Sequence, residues 1–195
     1  MRLLLPAAAR VAATDEPAYK QAEPWLLLHS ACFVSCPLAL VRLAWKQEPH
    51  ALGIQDLRAG RLPLHYAAAR SGYVGTVPVG VSREVRTMME PSPAMELASR
   101  FAQATRIVDA QYQLPLHIAI DTAKRVNDTN EVVMELLRLY PCSLERRDGK
   151  TKLYPFLQAA AGPDASVSLT FSLLRKHPTL VASAIRVETT RYPSY

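Results

Sequence analysis

Glycine, cysteine and long apolar runs are all scarce in this chain, and each shortage removes a class of protein. Only seven of its 195 residues are glycine. The chain contains no phosphate-cradling P-loop, no Gly-x-Gly-x-x-Gly dinucleotide fingerprint, no Gly-x-Ser-x-Gly nucleophile elbow and no His-Glu-x-x-His zinc motif. With them go the usual signatures of nucleotide-dependent, hydrolytic and zinc-dependent catalysis. The three cysteines, Cys32, Cys36 and Cys142, are odd in number and form no Cys-x-x-Cys pair. They do not read as a disulfide framework, which points to a reducing compartment, cytoplasmic or nuclear. Charged residues make up 21% of the chain, too few for a disordered polymer, and the 49% hydrophobic content is ample for a core. Acidic residues are the minority charge. The net charge of +6 favours an acidic partner, whether protein, nucleic acid or anionic lipid. No aromatic residues interleave with the bases, so single-stranded nucleic acid is not favoured.

Two apolar stretches test for targeting. Met1–Ala13 carries a basic residue and a short apolar run, Leu3–Ala9, broken by Pro6, a weak match to a cleaved leader. Residues 1–22 are expected to be a poorly ordered N-terminal segment. Trp25–Val41 is uncharged over 17 residues, the lower edge for a membrane helix. His29, Ser30, Ser35 and a central Pro37 argue instead for two short helices with a turn between them. A membrane-associated protein using this stretch, or a nucleic-acid binder using the basic excess, is the rival to the reading that follows.

The positive signal is internal repetition. Leu62-Pro63-Leu64-His65 returns as Leu114-Pro115-Leu116-His117, each after an aspartate, Asp56 or Asp109, and each running into an alanine-bearing helical stretch. A local signature copied at a domain-sized interval marks a repeat architecture. The clearest copy continues from Pro115 through the polar break Asn127–Asn130 to Glu131–Arg138, where Val132, Val133, Leu136 and Leu137 share one helical face. The turn dipeptide Asp148-Gly149 follows. Asp148 then precedes Pro155-Phe156-Leu157-Gln158, with a second helix expected near Ser168–Lys176. An N-terminal copy survives as Leu27–Cys32 and Leu38–Lys46. Pro49, Pro141 and Pro178 stop the second helices, because proline cannot continue a helix interior. The proline-rich stretch 73–93 is an insertion, with helix resuming over Ala94–Val108.

These residues resemble the ankyrin repeat family, whose units of about 33 residues place a turn before two antiparallel helices and carry a Thr-Pro-Leu-His signature. The resemblance implies an all-α, ankyrin-like solenoid of about four helix–turn–helix units over residues 23–190, bounded near 24–55, 56–108, 109–147 and 148–187, with a tail at 188–195. It also implies non-catalytic protein–protein recognition through the concave face of turns and first helices. The departures are specific. Leucine replaces threonine at Leu62 and Leu114, the last copy lacks the histidine, and proline stops replace the usual glycine after the second helix. The signature threonine shares hydrogen bonds with the histidine, so that network is in question.

Individual residues carry little chemistry beyond this. His29, His65 and His117 recur once per copy and read as buried, backbone-bonded side chains, since stacked units are too far apart for a shared metal. His29, Cys32 and Cys36 are spaced as if on one helix face but lack a fourth zinc ligand. Asp56 and Asp109 read as turn caps. No metal, cofactor or catalytic residue is assigned. The expected partner is a protein, possibly acidic in charge as the basic excess suggests, and its contact residues are Arg58, Arg61, Tyr66, Arg70, Tyr112, Gln113, Arg147, Lys150 and Lys152.

Overall fold

The computed structural model describes residues 26–71, 91–126 and 130–179. Among them are eight α-helices and no strand. The helices are α1 (Leu27–Phe33), α2 (Leu38–Gln47), α3 (Pro63–Arg70), α4 (Pro93–Arg100), α5 (Pro115–Val126), α6 (Glu131–Leu139), α7 (Pro155–Ala160) and α8 (Val167–Lys176). Segments 1–25, 72–90, 127–129 and 180–195 fall outside the described residues. With them go the expected N-terminal segment, the C-terminal tail, the Asn127–Asn130 break except Asn130, and the 73–93 insertion except for its last three residues. There Ser92 caps the start of α4, its Oγ accepting from the Met95 N–H.

Proline decides where these helices begin and end. α3, α5 and α7 each have proline as their first residue, where its missing N–H costs nothing. The second helices stop because the residue before a proline is pushed out of the helical region. Glu48 and Tyr140 sit at φ/ψ of −129°/69° and −141°/79°, and each precedes a proline. His177, before Pro178, takes −148°/73°. Phe101 takes −135°/73° although Ala102 follows it, so the conformation belongs to the site and proline reinforces it. In three of these places a 3-10 turn follows, at Pro49–Gly53, Ala102–Arg106 and Pro141–Glu145. Each turn then leads into an extended residue, Ile54, Ile107 or Arg146.

The first-type helices are neighbours in chain order. α1 packs on α3, α3 on α5 and α5 on α7. α2, α6 and α8 pack on α1, α5 and α7, while α4 lies against both α3 and α6. These helices approach closely because alanine faces their neighbours: Ala67, Ala68, Ala119 and Ala159 are buried. Leu64, Leu116, Ile120, Leu136, Leu169 and Leu173 fill the space between the rows. Polar stitches fix the register. Thr122 Oγ1 donates to the Ala69 carbonyl, and Gln158 Nε2 donates to the His117 carbonyl and to Asp121. Lys124 Nζ donates to the carbonyls of Gln158 and Ala161 at the end of α7.

The described part of Trp25–Val41, from Leu26 on, does not form one helix. α1 ends at Phe33 and α2 starts after Pro37, as the sequence suggested, and no described helix is long and apolar enough to cross a membrane. Cys36 lies beyond the end of α1, so His29, Cys32 and Cys36 do not share a helix face. All three cysteines are free.

One glycine is demanded by close approach. A Cβ on Gly149 would stand 2.0 Å from the Gln111 carbonyl oxygen and 2.5 Å from Tyr112 Cβ. Gly149→Ala is expected to wedge two neighbouring turns apart and lower stability by about 2 kcal/mol or more, read as a shift in the urea midpoint.

Candidate interaction surface at the turns

Three turns precede α3, α5 and α7, and each is built around one aspartate. Asp56 Oδ1 accepts from the N–H groups of Arg58 (2.9 Å) and Ala59 (2.6 Å), and Oδ2 from that of Arg61 (3.0 Å). Asp109 Oδ1 accepts from Gln111 and Gln113, both at 2.9 Å. Asp148 takes the N–H groups of Lys150 and Thr151 at 3.1 Å and the Thr151 hydroxyl at 2.7 Å. Each turn is then closed by the backbone: the N–H groups of Asp56, Asp109 and Asp148 donate to the carbonyls of Arg61, Gln113 and Leu153. Asp109 and Asp148 are almost wholly buried. Burial by itself would raise the Asp148 pKa. Hydrogen bonds from Thr151, Lys150 and Gln113 more than offset that and hold it below the usual carboxylate value, and the same balance lowers Asp56.

The turns are also bonded to one another. Arg61 Nε donates to Asp109 Oδ2 at 3.0 Å, and Gln113 Nε2 to Asp148 Oδ1 at 2.9 Å. In backbone terms, Ala110 N–H donates to Ala59 O and Gly149 N–H to Tyr112 O. Gln55 Nε2 adds a bridge from its own turn, at Gly60 O, to Val108 O at the next. A residue near the end of each turn is left-handed: Gly60, Tyr112 and Lys152 have φ of 61°, 57° and 63°. Only the first is glycine.

Beneath the turns lie the histidines. The Nδ1 atoms of His65 and His117 accept the backbone N–H groups of Leu62 (3.1 Å) and Leu114 (3.0 Å). The leucine at the signature's first position thus keeps a bond to the histidine through its main chain, although no hydroxyl is there. With Nδ1 accepting, the proton sits on Nε2. His117 Nε2 donates to Arg146 O at 3.0 Å, and His29 Nε2 lies 2.9 Å from Ile54 O and 3.2 Å from Arg61 O. Burial pushes the His65 pKa down to about 4 from 6.5, and lowers His29 and His117 in the same direction.

The nine residues read from the sequence divide by depth. Arg58, Arg147, Lys150 and Lys152 are exposed on the turns, as is Tyr112 at 73%. Gln113 is not on that surface. It is 5% exposed and its amide is committed to Asp148, because the position that closes a turn faces the next turn rather than solvent. Arg61, the corresponding residue one turn earlier, is half-buried in its pair with Asp109 and lies 5.7 Å from the Tyr66 ring centre. Burial, with the hydroxyl bond that Tyr66 donates to Asp56, raises the Tyr66 pKa to about 12. Arg70 stands over the Phe33 ring at 5.5 Å. The sequence reading missed Leu57, 81% exposed between Asp56 and Arg58, where an apolar residue in a polar turn was the available signal. It missed Tyr154 too, whose ring backs the Arg147 guanidinium at 4.5 Å.

Elsewhere, a shallow groove of about 410 Å³ is lined by Asn130, Met134, Ser172, Arg175 and Lys176 between α6 and α8. Among the described residues no cluster of His, Cys, Asp and Glu is arranged to hold a metal ion. No protein-family model, no curated protein and no solved structure matches the chain.

The histidines give the fold a pH dependence of definite sign. A His65 that stays neutral in the fold but protonates near 6.5 when unfolded makes the unfolded state the better proton binder as pH falls. Its contribution is full above about pH 6.5 and is lost as pH drops towards about 4. Between about pH 7 and 5 His65 should cost the fold about 2 kcal/mol, with His29 and His117 adding in the same direction. Urea midpoints at the two pH values measure the loss, and His65→Asn should flatten the dependence even though it lowers stability at neutral pH.

Proposed function

We propose that this chain is a non-catalytic protein-recognition module, an ankyrin-like solenoid of about four helix–turn–helix units that binds its partner through the concave face of turns and inner helices. The observation that carries the reading is the bonded row of turns. Arg61–Asp109 and Gln113–Asp148 lock successive turns together, so the exposed side chains above them stand on a rigid edge. Preorganised side chains lose little freedom on binding, which is what a recognition surface needs. The inner face continues this edge with Tyr66, Arg70 and Phe33 on α1 and α3. Buried polar groups here hold main chain: Nδ1 of His65 and of His117 accepts the N–H of Leu62 and of Leu114, and Asp109 and Asp148 accept backbone N–H groups of their own turns. An intracellular location, cytoplasmic or nuclear, belongs to the same reading and accords with three unpaired cysteines.

Capture of proteins from a cell extract tests this reading with Arg58→Glu, Lys150→Glu and Lys152→Glu combined. Arg61 is left intact, since reversing it would place a second anion against buried Asp109. Loss of particular captured proteins by a variant of unchanged helix content is expected. An identical captured set would remove this face from consideration.

A further inference from the structure

We infer that the turn edge receives an extended acidic segment of another protein, its carboxylates met by Arg58, Arg147, Lys150 and Lys152 and its apolar side chains by Leu57 and Tyr112. This deepens the recognition reading and rests on it. The charges of the three turns are sorted by depth. All three acids, Asp56, Asp109 and Asp148, are directed at backbone N–H groups within their own turns, and two of them also take side-chain donors from the preceding turn. The bases Arg58, Arg147, Lys150 and Lys152 are exposed, and no acidic side chain among the described residues pairs with them. Turns whose aspartates are satisfied from within while their bases stand exposed carry a positive bias that complements an acidic partner.

One feature selects protein over a phosphate backbone. Leu57 and Tyr112 are 81% and 73% exposed on the first and second turns, and the second turn displays no base. A phosphate backbone offers nothing to an exposed leucine, whereas a peptide alternating acidic and apolar residues satisfies both kinds of group. Arg147 is held over the Tyr154 ring at 4.5 Å, which fixes the guanidinium plane and leaves its edge for a carboxylate. The extended shape follows from the ladder. Ala110 N–H to Ala59 O and Gly149 N–H to Tyr112 O bring the tips together as a row rather than a pocket.

Fluorescence anisotropy with the full chain tests this. The probe is a labelled peptide of alternating Glu and Leu with Gly spacers, and the comparators are the same peptide with Gln for Glu, a short duplex DNA and phosphatidylserine vesicles. The Glu peptide should bind in a salt-dependent way, and the Gln peptide at least about tenfold more weakly. Arg147→Glu, Lys150→Glu and Lys152→Glu combined should weaken the Glu peptide by about tenfold or more, whereas Arg175→Glu with Lys176→Glu, at the groove between α6 and α8, should change it by less than about twofold. Tyr112→Ala should weaken binding about fivefold without altering its salt dependence. Lys150→Ala with Lys152→Ala serves as the milder pair if the triple reversal lowers the urea midpoint. The inference is overturned if the Gln peptide binds equally well, if the groove pair weakens binding as much as the turn triple, or if DNA or vesicles bind more tightly than the Glu peptide and lose that binding in the turn triple. Should the Glu peptide be ignored while the edge reversal still strips captured proteins, the acidic partner falls and the recognition module stands. Should neither respond, both fall.

Discussion

An anion placed out of reach of water has to be surrounded by donors, and this protein places one in each of two successive turns, at Asp109 and Asp148. Asp109 and Asp148 are buried, yet every short contact they make is with an N–H or O–H group. Hydrogen bonds to a charged acceptor contribute roughly 1.5–3 kcal/mol each. The same carboxylates are expensive to leave half-satisfied, so loss of a single donor costs more than that donor's own bond. The local turn and the stacking of neighbouring turns therefore share one atom group. Oδ1 of Asp109 shapes its own turn while Oδ2 receives Arg61 from the turn before.

Around this constraint the polar and apolar parts of the chain divide the work. Alanine on α3, α5 and α7 lets their backbones approach, and leucine fills the gap to the helices packed on them. Such contacts are strong but not selective in register. Selectivity comes from groups that bond at one distance only: His117 reaching Arg146 O, Gln158 reaching His117 O, and Thr122 reaching Ala69 O. α2 and α4 are joined more loosely, with Arg42 paired to Glu96 and Arg100 over the Trp45 ring. The bonds that fix register are thus concentrated beneath the turns and along α3, α5 and α7.

Much of the helix map was legible because proline and aspartate act locally. Pro49, Pro141 and Pro178 place the ends of α2, α6 and α8, and Pro63 and Pro115 place the starts of α3 and α5, within a residue of the sequence-based expectation. The aspartate caps were legible for the same reason. Depth was harder to read. Gln113 and Tyr112 are adjacent and both look like turn residues, but one faces the next turn and the other faces solvent, a difference set by the left-handed φ of Tyr112. Arg61 looked like a surface base for want of knowing that Asp109 would lie beside it, 48 positions along the chain. Cys36 was placed on a helix by spacing alone, although Ser35 takes a φ of 58° and ends the regular geometry before it.

The left-handed positions bear on what the edge is for. Gly60, Tyr112 and Lys152 adopt nearly the same φ, and the backbone there favours a residue without a Cβ. A tyrosine or a lysine in that conformation is disfavoured by roughly 1 kcal/mol or more. Folding alone would be served at least as well by glycine at all three. Neither side chain recovers the cost through packing, since both are exposed. What tyrosine and lysine add is outside the fold: an aromatic ring and a positive charge, held on a rigid support and directed at solvent.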